Sequence, residues 1–493
     1  MSFCSRGADS PYPRAVGYAY DLVVLGGGPA GEKGAAQAAY FGKRVLVVER
    51  AADPGGACVH TGTLPSKTLR EAALVLSGYR NRDLYGIRLE LDRDQATPRL
   101  LSRKDAVRRL EVERIRWNLE RHGVPLMRGV AHMIDAHTVE VVPLGAAATR
   151  ISTEFVLIAT GSEPFRPANV PFDDIDVDDS DTILGIDRLP KRMVILGAGV
   201  IGCEYACMFA ALGVEVVLVE GRDEMLPFLD REFSERLRSA MASLGIDVRL
   251  GSPYSKVERI GPVDIKTDLA DGTSILSEKV LYCAGRNGRS RELNLESVGI
   301  VPDKRGAIGV DANYRTTVPN IYAVGDVIGF PALASTSMEQ ARVAVVHAFG
   351  LGYKQKIGTL LPYGIYTIPE VSYAGMTEEE AKKAGVDYVV GRAFFRDNAR
   401  GIIMGDRDGV IKMLFSRADR KLIGVHCISE KASELIHIGL AVMTLGGGVD
   451  AFIEMVFNYP TLAEAYKYAA YDALGQFGAK AAPSPAPAPA PAK

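Results

Sequence analysis

The chain has 493 residues, too many for one hydrophobic core, so several domains are expected. A net charge of −2, with 24% charged and 47% apolar residues, is that of an ordinary globular protein; it points neither to nucleic acid nor to a membrane surface as a partner. The six cysteines, Cys4, Cys58, Cys203, Cys207, Cys283 and Cys427, contain no C-x-x-C pair and read as free, packed thiols of a reducing compartment.

Residues 1–19 are polar, with Pro11 and Pro13, and lack the apolar centre of a signal peptide. No apolar run of about 18 residues follows anywhere, so a cytoplasmic protein without a membrane span is expected. Tyr20 to Leu25 reads as a buried strand. Gly26, Gly28 and Gly31 then give G-x-G-x-x-G around Pro29 and Ala30, an Ala-rich helix follows, and a second strand from Arg44 to Val48 ends at Glu49, next to Arg50. This is a dinucleotide-binding βαβ unit, in which glycines let the backbone approach a pyrophosphate at a helix N-terminus and the acid takes ribose hydroxyls. Leu64 to Ser77 reads as a helix carrying Lys67, and Arg103 to Arg121 as a long charged helix. Phe155 to Ile158 is a strand that runs into Ala159-Thr160-Gly161.

The fingerprint recurs. Met193 to Leu196 is a strand, and Gly197, Gly199 and Gly202, with Val200 and Ile201 between the last two, repeat the glycine spacing. The following strand ends at Glu220, again 23 residues past the first glycine. Two copies mean two dinucleotide sites, which excludes a one-cofactor dehydrogenase as the leading reading. Val280 to Ala284, then Gly285, Arg286 and Asn287, resembles a return crossing, and Ile321 to Asp326 reads as a strand and turn. From about residue 346 short strands such as Tyr388 to Phe395, Val410 to Phe415 and Leu422 to Ile428 alternate with helices, an α+β pattern. Residues 476–493 are Pro/Ala-rich and expected to be disordered or extended. The fold class is therefore α/β, with two Rossmann-like units and a C-terminal α+β domain. The expected divisions are 1–19 (N-terminal extension), 20–160 with 286–345, 161–285, 346–475, and 476–493 (tail). Cys203 and Cys207, four apart on one helix, are read as packing, and the histidines show no ligand spacing, so no metal is expected.

The stretch Gly55-Gly56-Ala57-Cys58-Val59-His60-Thr61-Gly62-Thr63-Leu64-Pro65-Ser66-Lys67 resembles the active segment of the flavoprotein disulfide reductases, which reads roughly G-G-x-C-x-x-x-x-C-x-P-x-K. Here the second cysteine is replaced by Thr63, which forms no disulfide. That family also uses a C-terminal His-Pro from the partner subunit with a glutamate five residues past the histidine; here Tyr459-Pro460 stands there and Glu464 is kept. Both parts of dithiol chemistry are thus replaced together. Phe457-Asn458-Tyr459-Pro460-Thr461 with Ala463-Glu464-Ala465-Tyr466, and Cys58, His60, Gly62-Thr63 and Pro65-Ser66-Lys67, are similar to the soluble, flavin-containing pyridine nucleotide transhydrogenases within that family, over about residues 18–475.

The resemblance implies FAD on the first fingerprint, with Gly56, Ala57, Cys58 and Lys67 beside the flavin, Thr160 and Gly161 at the first crossing, and Asp326 on the ribityl and phosphate region. NAD and NADP, as substrates, would share the second fingerprint with Glu220, Arg222 and Gly285. Lys67 would lie near flavin N5, paired with Glu204. His60 is a candidate proton donor or, equally, a hydrogen-bonded structural histidine. Hydride would pass reversibly between NADPH and NAD through flavin in a homodimer or higher oligomer. A diaphorase or quinone reductase of the same fold, or a non-catalytic flavoprotein subunit tethered by its Pro/Ala tail, are the alternatives. Glu220 favours NAD, and a 2′-phosphate of NADP would need Arg222, with Gly221 giving Glu220 room to swing to solvent.

Overall fold

A computed structural model describes residues 17–78, 85–86 and 92–477. The expectations for the N-terminal extension and the Pro/Ala tail fall largely outside these residues. The first parallel sheet has the strand order Leu126–Arg128, Val45–Glu49, Tyr20–Leu25, Thr149–Ile158, Ile321–Ala323. Its central strands are buried on both faces, which is why they read as unbroken runs of Val, Leu and Ile rather than as alternation. Thr149–Ile158 is a long strand with two pairings. Its second half belongs to the parallel sheet, and its first half closes an antiparallel meander with Thr138–Val142 and Val130–Asp135.

The second unit repeats this plan. Its parallel sheet runs Asp247–Arg249, Glu215–Val219, Arg192–Leu196, Lys279–Tyr282, Val177–Asp179, and its meander runs Tyr254–Arg259, Ile265–Leu269, Ser274–Ser277. The chain enters this unit after Gly161 and leaves it after Gly285. The two crossings pair with each other, Ser162–Pro164 antiparallel to Arg286–Gly288.

The C-terminal part is a five-stranded antiparallel sheet in the order Tyr363–Ile365, Glu370–Gly375, Leu422–Ser429, Val410–Ser416, Tyr388–Phe394. Helices Ala432–Thr444 and Ala465–Phe477 cover it, and the buried Tyr466 hydroxyl ties the two by donating to the Leu435 carbonyl at 2.8 Å.

The long charged helix begins at Arg93, ten residues before the expected start, and contains Pro98. The proline costs one backbone hydrogen bond. Burial of Ala96 and Leu100 against Leu69 and Ala73 of the active-segment helix, Thr63–Leu76, outweighs that cost. The same core continues into the second fingerprint helix, Val200–Ala211, through Cys203, Ala206 and Cys207, and into the C-terminal sheet through Ile365, Ile368 and Val371. All three parts of the chain therefore meet at one seam.

A second tie at this seam is ionic. Lys412 is fully buried, and its ammonium meets Asp230 at 2.8 Å, Glu378 at 2.6 Å and Glu232 at 3.3 Å. Arg392 closes on Glu232 at 2.9 Å. Asp230 and Glu232 begin the helix Arg231–Ser243 of the second unit, whereas the other partners lie in the C-terminal part.

Candidate active site

The two fingerprints superpose residue for residue in their constraints. Gly26 and Gly197 both take φ of 106°, and a Cβ on Gly31 or Gly202 would lie 1.9 Å from the carbonyl oxygen of Gly26 or Gly197. No other residue fits those close approaches. Gly28 and Gly199 are extended helix N-caps, with open space where a Cβ would sit at Gly199 and only the Gly56 Cα, 3.7 Å away, at Gly28. In the first unit Glu49 Oε2 accepts from Gly27 N at 2.7 Å and Oε1 from Ala51 N at 2.8 Å. In the second, Glu220 Oε2 accepts from Ala198 N at 2.9 Å. Arg50 is turned outward in an exposed ion pair with Glu292. Pro29 and Ala30, like Val200 and Ile201, form the first turns of their helices.

The active segment docks on the first fingerprint. Gly55 N donates to Gly27 O at 2.8 Å, and a Cβ on Gly56 would lie 2.9 Å from the Gly28 Cα. Positive φ at Gly55 and Gly56 starts the short helix Gly56–His60 that carries Ala57 and Cys58. Burial pushes the Cys58 thiol up, partly offset by the Thr63 hydroxyl beside it and by the more distant Lys67 charge. Thr63 therefore does face Cys58, in the place of a second sulfur. His60 Nε2 meets the Pro54 carbonyl at 3.0 Å, which fixes the imidazole as a brace for the turn before Gly55.

Lys67 and Glu204 come together across the seam, Nζ to Oε2 at 2.5 Å. The other oxygen of Glu204 accepts from the backbone N–H of Tyr366 at 2.9 Å, and the Lys67 ammonium lies 5.1 Å from the centre of the Tyr366 ring. A three-way junction was not foreseen in the sequence, where Tyr366 had no assigned role.

Asp326 follows the last parallel strand and accepts from the Ser162 hydroxyl at 2.9 Å, which in turn accepts from Arg286 Nε at 2.9 Å. Thr160 donates to the Arg289 carbonyl at 2.6 Å, and Gly161 and Gly285 take the positive φ that turns the chain at each crossing. Asp326, Thr160 and Gly161 thus sit at the hinge between the two units.

Arg222 does not stand free. Its Nε and Nη2 grip both oxygens of Glu220, at 3.1 and 3.0 Å. Burial raises the Glu220 carboxyl, but the Arg222 guanidinium and the Ala198 N–H outweigh it and hold it below its ordinary value. Glu220 is buried and does not swing to solvent, and Pro253 fills part of the space beside Gly221, which corrects the expected geometry. Cys203 and Cys207 are fully buried, with thiols pushed far up by burial. Among the described residues the acidic cluster tight enough for a metal, Asp230, Glu232 and Glu378, already surrounds the Lys412 ammonium.

Residues 20–348 match the family model described as pyridine nucleotide-disulphide oxidoreductase, and residues 361–470 match the dimerisation domain of the same family. The chain belongs to the pyridine nucleotide-disulphide oxidoreductase family. It is 48% identical over 462 residues, 93% of this chain and 98% of the relative, to a soluble pyridine nucleotide transhydrogenase of Mycobacterium tuberculosis. The corresponding figures for one from Pseudomonas fluorescens are 41%, 93% and 99%. Among solved structures, LpdA from Mycobacterium tuberculosis is 26% identical with a TM-score of 0.85, covering 91% of this chain and 98% of its own. The HOCl-induced flavoprotein disulfide reductase RclA from Escherichia coli, as a Cu(II) complex, is 26% identical with a TM-score of 0.82, covering 92% and 99%.

Within this family's dimerisation domain, Tyr459 is 69% exposed and lies in sequence beside the exposed Met455 and Val456. Tyr468 and Tyr471, on the helix that follows, are exposed as well. Among the described residues no helix is long and apolar enough to cross a membrane, and the five described cysteines are free.

Proposed function

We propose that this protein is an FAD-dependent pyridine nucleotide transhydrogenase that moves hydride reversibly between NADPH and NAD without a redox disulfide. The observation that carries the reading is the combination of Thr63 facing Cys58 with a Lys67–Glu204 pair at 2.5 Å. One cysteine facing a threonine forms no disulfide, and the Lys67–Glu204 pair is intact. The names of the relatives at 41–48% identity support the same activity.

The first fingerprint suits FAD. Its helix N-terminus is walled by glycines with no side chain in the way, Glu49 already fixes the loop, and Gly56 brings the active segment against Gly28. Thr160, Gly161 and Asp326 would hold the remainder of the cofactor from the hinge. When bound, FAD supplies a two-electron acceptor that takes hydride from one nicotinamide and returns it to another. Lys67 presents a fixed cation in a half-buried setting, where positive charge favours uptake of negative charge by a neighbour. Glu204 keeps that ammonium oriented, and Tyr366 keeps Glu204 oriented. The second fingerprint, with Glu220, Arg222 and Gly285, would bind NADPH and NAD in turn, which gives ping-pong kinetics.

Residues 20–160 with 286–345 would then form the FAD-binding part, 161–285 the NAD(P)-binding part and 346–475 the interface of a cytoplasmic homodimer. The matched dimerisation domain and the exposed Val456, Tyr459, Tyr468 and Tyr471 support the dimer. The deciding experiment mixes the FAD-loaded protein with NADPH and an NAD analogue that has a shifted absorbance, beside a lipoamide assay. Reduction of the analogue with no lipoamide turnover is expected. NADH or NADPH oxidation that reaches only quinones or oxygen would replace this reading with a diaphorase.

A further inference from the structure

We propose that Arg70 is a positioning residue for the Lys67–Glu204 pair, acting through the backbone of Tyr366-Thr367; this deepens the reading of Lys67 as the cation beside the flavin and rests on it. Arg70 lies one turn past Lys67 on the active-segment helix, and only 3% of it is exposed. A buried guanidinium needs compensation for lost hydration, and the partners it finds define its task. Nε and Nη2 both donate to the Thr367 carbonyl, at 3.1 and 2.8 Å. Nη1 meets Glu71 at 2.6 Å and Glu370 at 3.4 Å. Glu370, whose carboxyl is itself raised by burial, accepts from the Ser433 N–H at 3.1 Å.

The consequence lies one residue back. Tyr366 N–H is the donor that holds the second oxygen of Glu204, and the Tyr366 ring lies under the Lys67 ammonium. The Thr367 carbonyl belongs to the peptide that joins Thr367 to Ile368, two peptide units past the one that carries the Tyr366 N–H, so Arg70 anchors the loop just beyond the Glu204 contact. One helix therefore presents Lys67 to Glu204 directly, and three residues later clamps the C-terminal loop that braces Glu204 from the other side. Residue 368 of the same loop also meets Cys207 of the second fingerprint helix. The loop Tyr366–Pro369 is seated on both helices, and Arg70 is the charged group that pins it. Without Arg70, Glu204 keeps Lys67 as a partner, but the loop that carries its second anchor, the Tyr366 N–H, loses a buried clamp, so the ammonium is less well placed.

Because Arg70 acts at one remove, the expected effect is modest, about a tenfold weaker equilibrium for two-electron reduction of the flavin. That corresponds to a midpoint potential lower by about 30 mV. The test is a double-mutant cycle with Arg70→Met and Lys67→Met, read as midpoint potential, joined by hydrogen exchange at the Tyr366 amide in the FAD-free protein. Arg70→Met is expected to lower the potential in the Lys67 background and leave it unchanged in the Lys67→Met background, and to speed exchange at Tyr366 about tenfold or more. Arg70→Lys, which keeps the charge but not the forked grip, should give a smaller shift of the same sign. It replaces Arg70→Met in the cycle should the latter fail to retain FAD.

An equal shift in both backgrounds would mean a general structural role and would overturn the proposal, as would no shift in either background or an unchanged Tyr366 amide. Failure of the transhydrogenase reading would appear separately, as absence of hydride transfer to the NAD analogue in the wild type, and would leave both readouts interpretable.

Discussion

The first and second fingerprint units share the order of four parallel strands, the glycine geometry and the position of the terminal acid, yet one of the two acids has a further partner. Glu49 is satisfied by two backbone N–H groups. Glu220 takes two such bonds as well, from Ala198 and Arg222, and is in addition clasped from outside by the forked, half-exposed Arg222 guanidinium. The first arrangement is closed and further buttressed by the active segment through Gly55 and Gly56. The second leaves a guanidinium at the mouth with its remaining nitrogen free of protein partners among the described residues. On the proposed function, the closed site would keep a resident cofactor and the open one would serve nucleotides that come and go with or without a 2′-phosphate.

The most severe way to break this comparison is to put a Cβ where the backbone allows none. Gly31→Ala and Gly202→Ala face the same 1.9 Å contact. Gly31→Ala should abolish FAD retention, measured as the flavin-to-protein absorbance ratio. Gly202→Ala should keep FAD and lose saturable binding of both nucleotides. Loss of FAD in both variants, or in neither, would show that the units are not assigned correctly.

Thr63→Cys is the next largest test, since it restores a second cysteine beside Cys58 in the first unit only. General acid–base assistance contributes about 10²- to 10⁴-fold. Tyr459→His would put back an imidazole, the side chain that shuttles protons near neutral pH in chemistry of this kind. Lipoamide turnover of Thr63→Cys should remain at least about a hundredfold below that of Thr63→Cys combined with Tyr459→His. Equal turnover in the single and double variants would show that Tyr459 had been misjudged.

Arg222 sharpens the comparison at the second unit. Its removal takes away one charge-assisted contact to a 2′-phosphate and leaves Glu220 negative and unshielded beside it. NADPH affinity should fall about 10- to 150-fold, with NADH nearly unchanged. Glu220→Ala should weaken NADH and spare or improve NADPH. Dissociation constants for both nucleotides in both variants decide this, and parallel losses would mean that Arg222 only supports the fold.

The fingerprints and the long parallel strands were legible because local rules dictate them: glycine spacing, unbroken apolar runs and an acid at a fixed offset. The Lys67–Glu204 pair was legible only through resemblance, since 137 residues separate its members. Arg222 gripping Glu220 was half legible; proximity in sequence pointed to both residues, but not to their pairing. Tyr366 was invisible because its contribution is a backbone N–H, which carries no side-chain signature. Arg70 left a trace that went unread: the buried positions of its helix, Leu69, Arg70, Ala73 and Leu74, put a charge on the apolar face. The early start of the helix at Arg93 was hidden by Pro98, whose local cost is outweighed by tertiary burial.

The smallest expected effect concerns the Lys412-centred cluster of buried charge that latches the second unit to the C-terminal sheet. Burial raises the Glu232 carboxyl, but the hydrogen bonds from Arg392 and Arg236 and the charges of Arg392 and Lys412 outweigh it and bring it down to about 2, below its ordinary 4.5. Glu378 is likewise held low, with Lys412 overcoming its burial. A carboxyl whose pKa is depressed in the folded protein adds stability that is fully present above its ordinary value and is lost as pH falls toward the folded value. The latch should therefore weaken between about pH 4.5 and about pH 2 and be indifferent to pH above that window. The full shift sets an upper bound of about 3 kcal/mol; with Glu232 still partly in contact with solvent, about 1–2 kcal/mol is expected. Hydrogen exchange along Arg231–Ser243, followed from pH 6 to pH 3 and corrected for intrinsic rates, should show acid opening of this helix before Pro29–Tyr40 of the first unit. Glu232→Gln should flatten the acid dependence while lowering protection at pH 6. Simultaneous opening of both helices, with no difference between Glu232→Gln and wild type, would mean that the latch contributes nothing specific to the second unit.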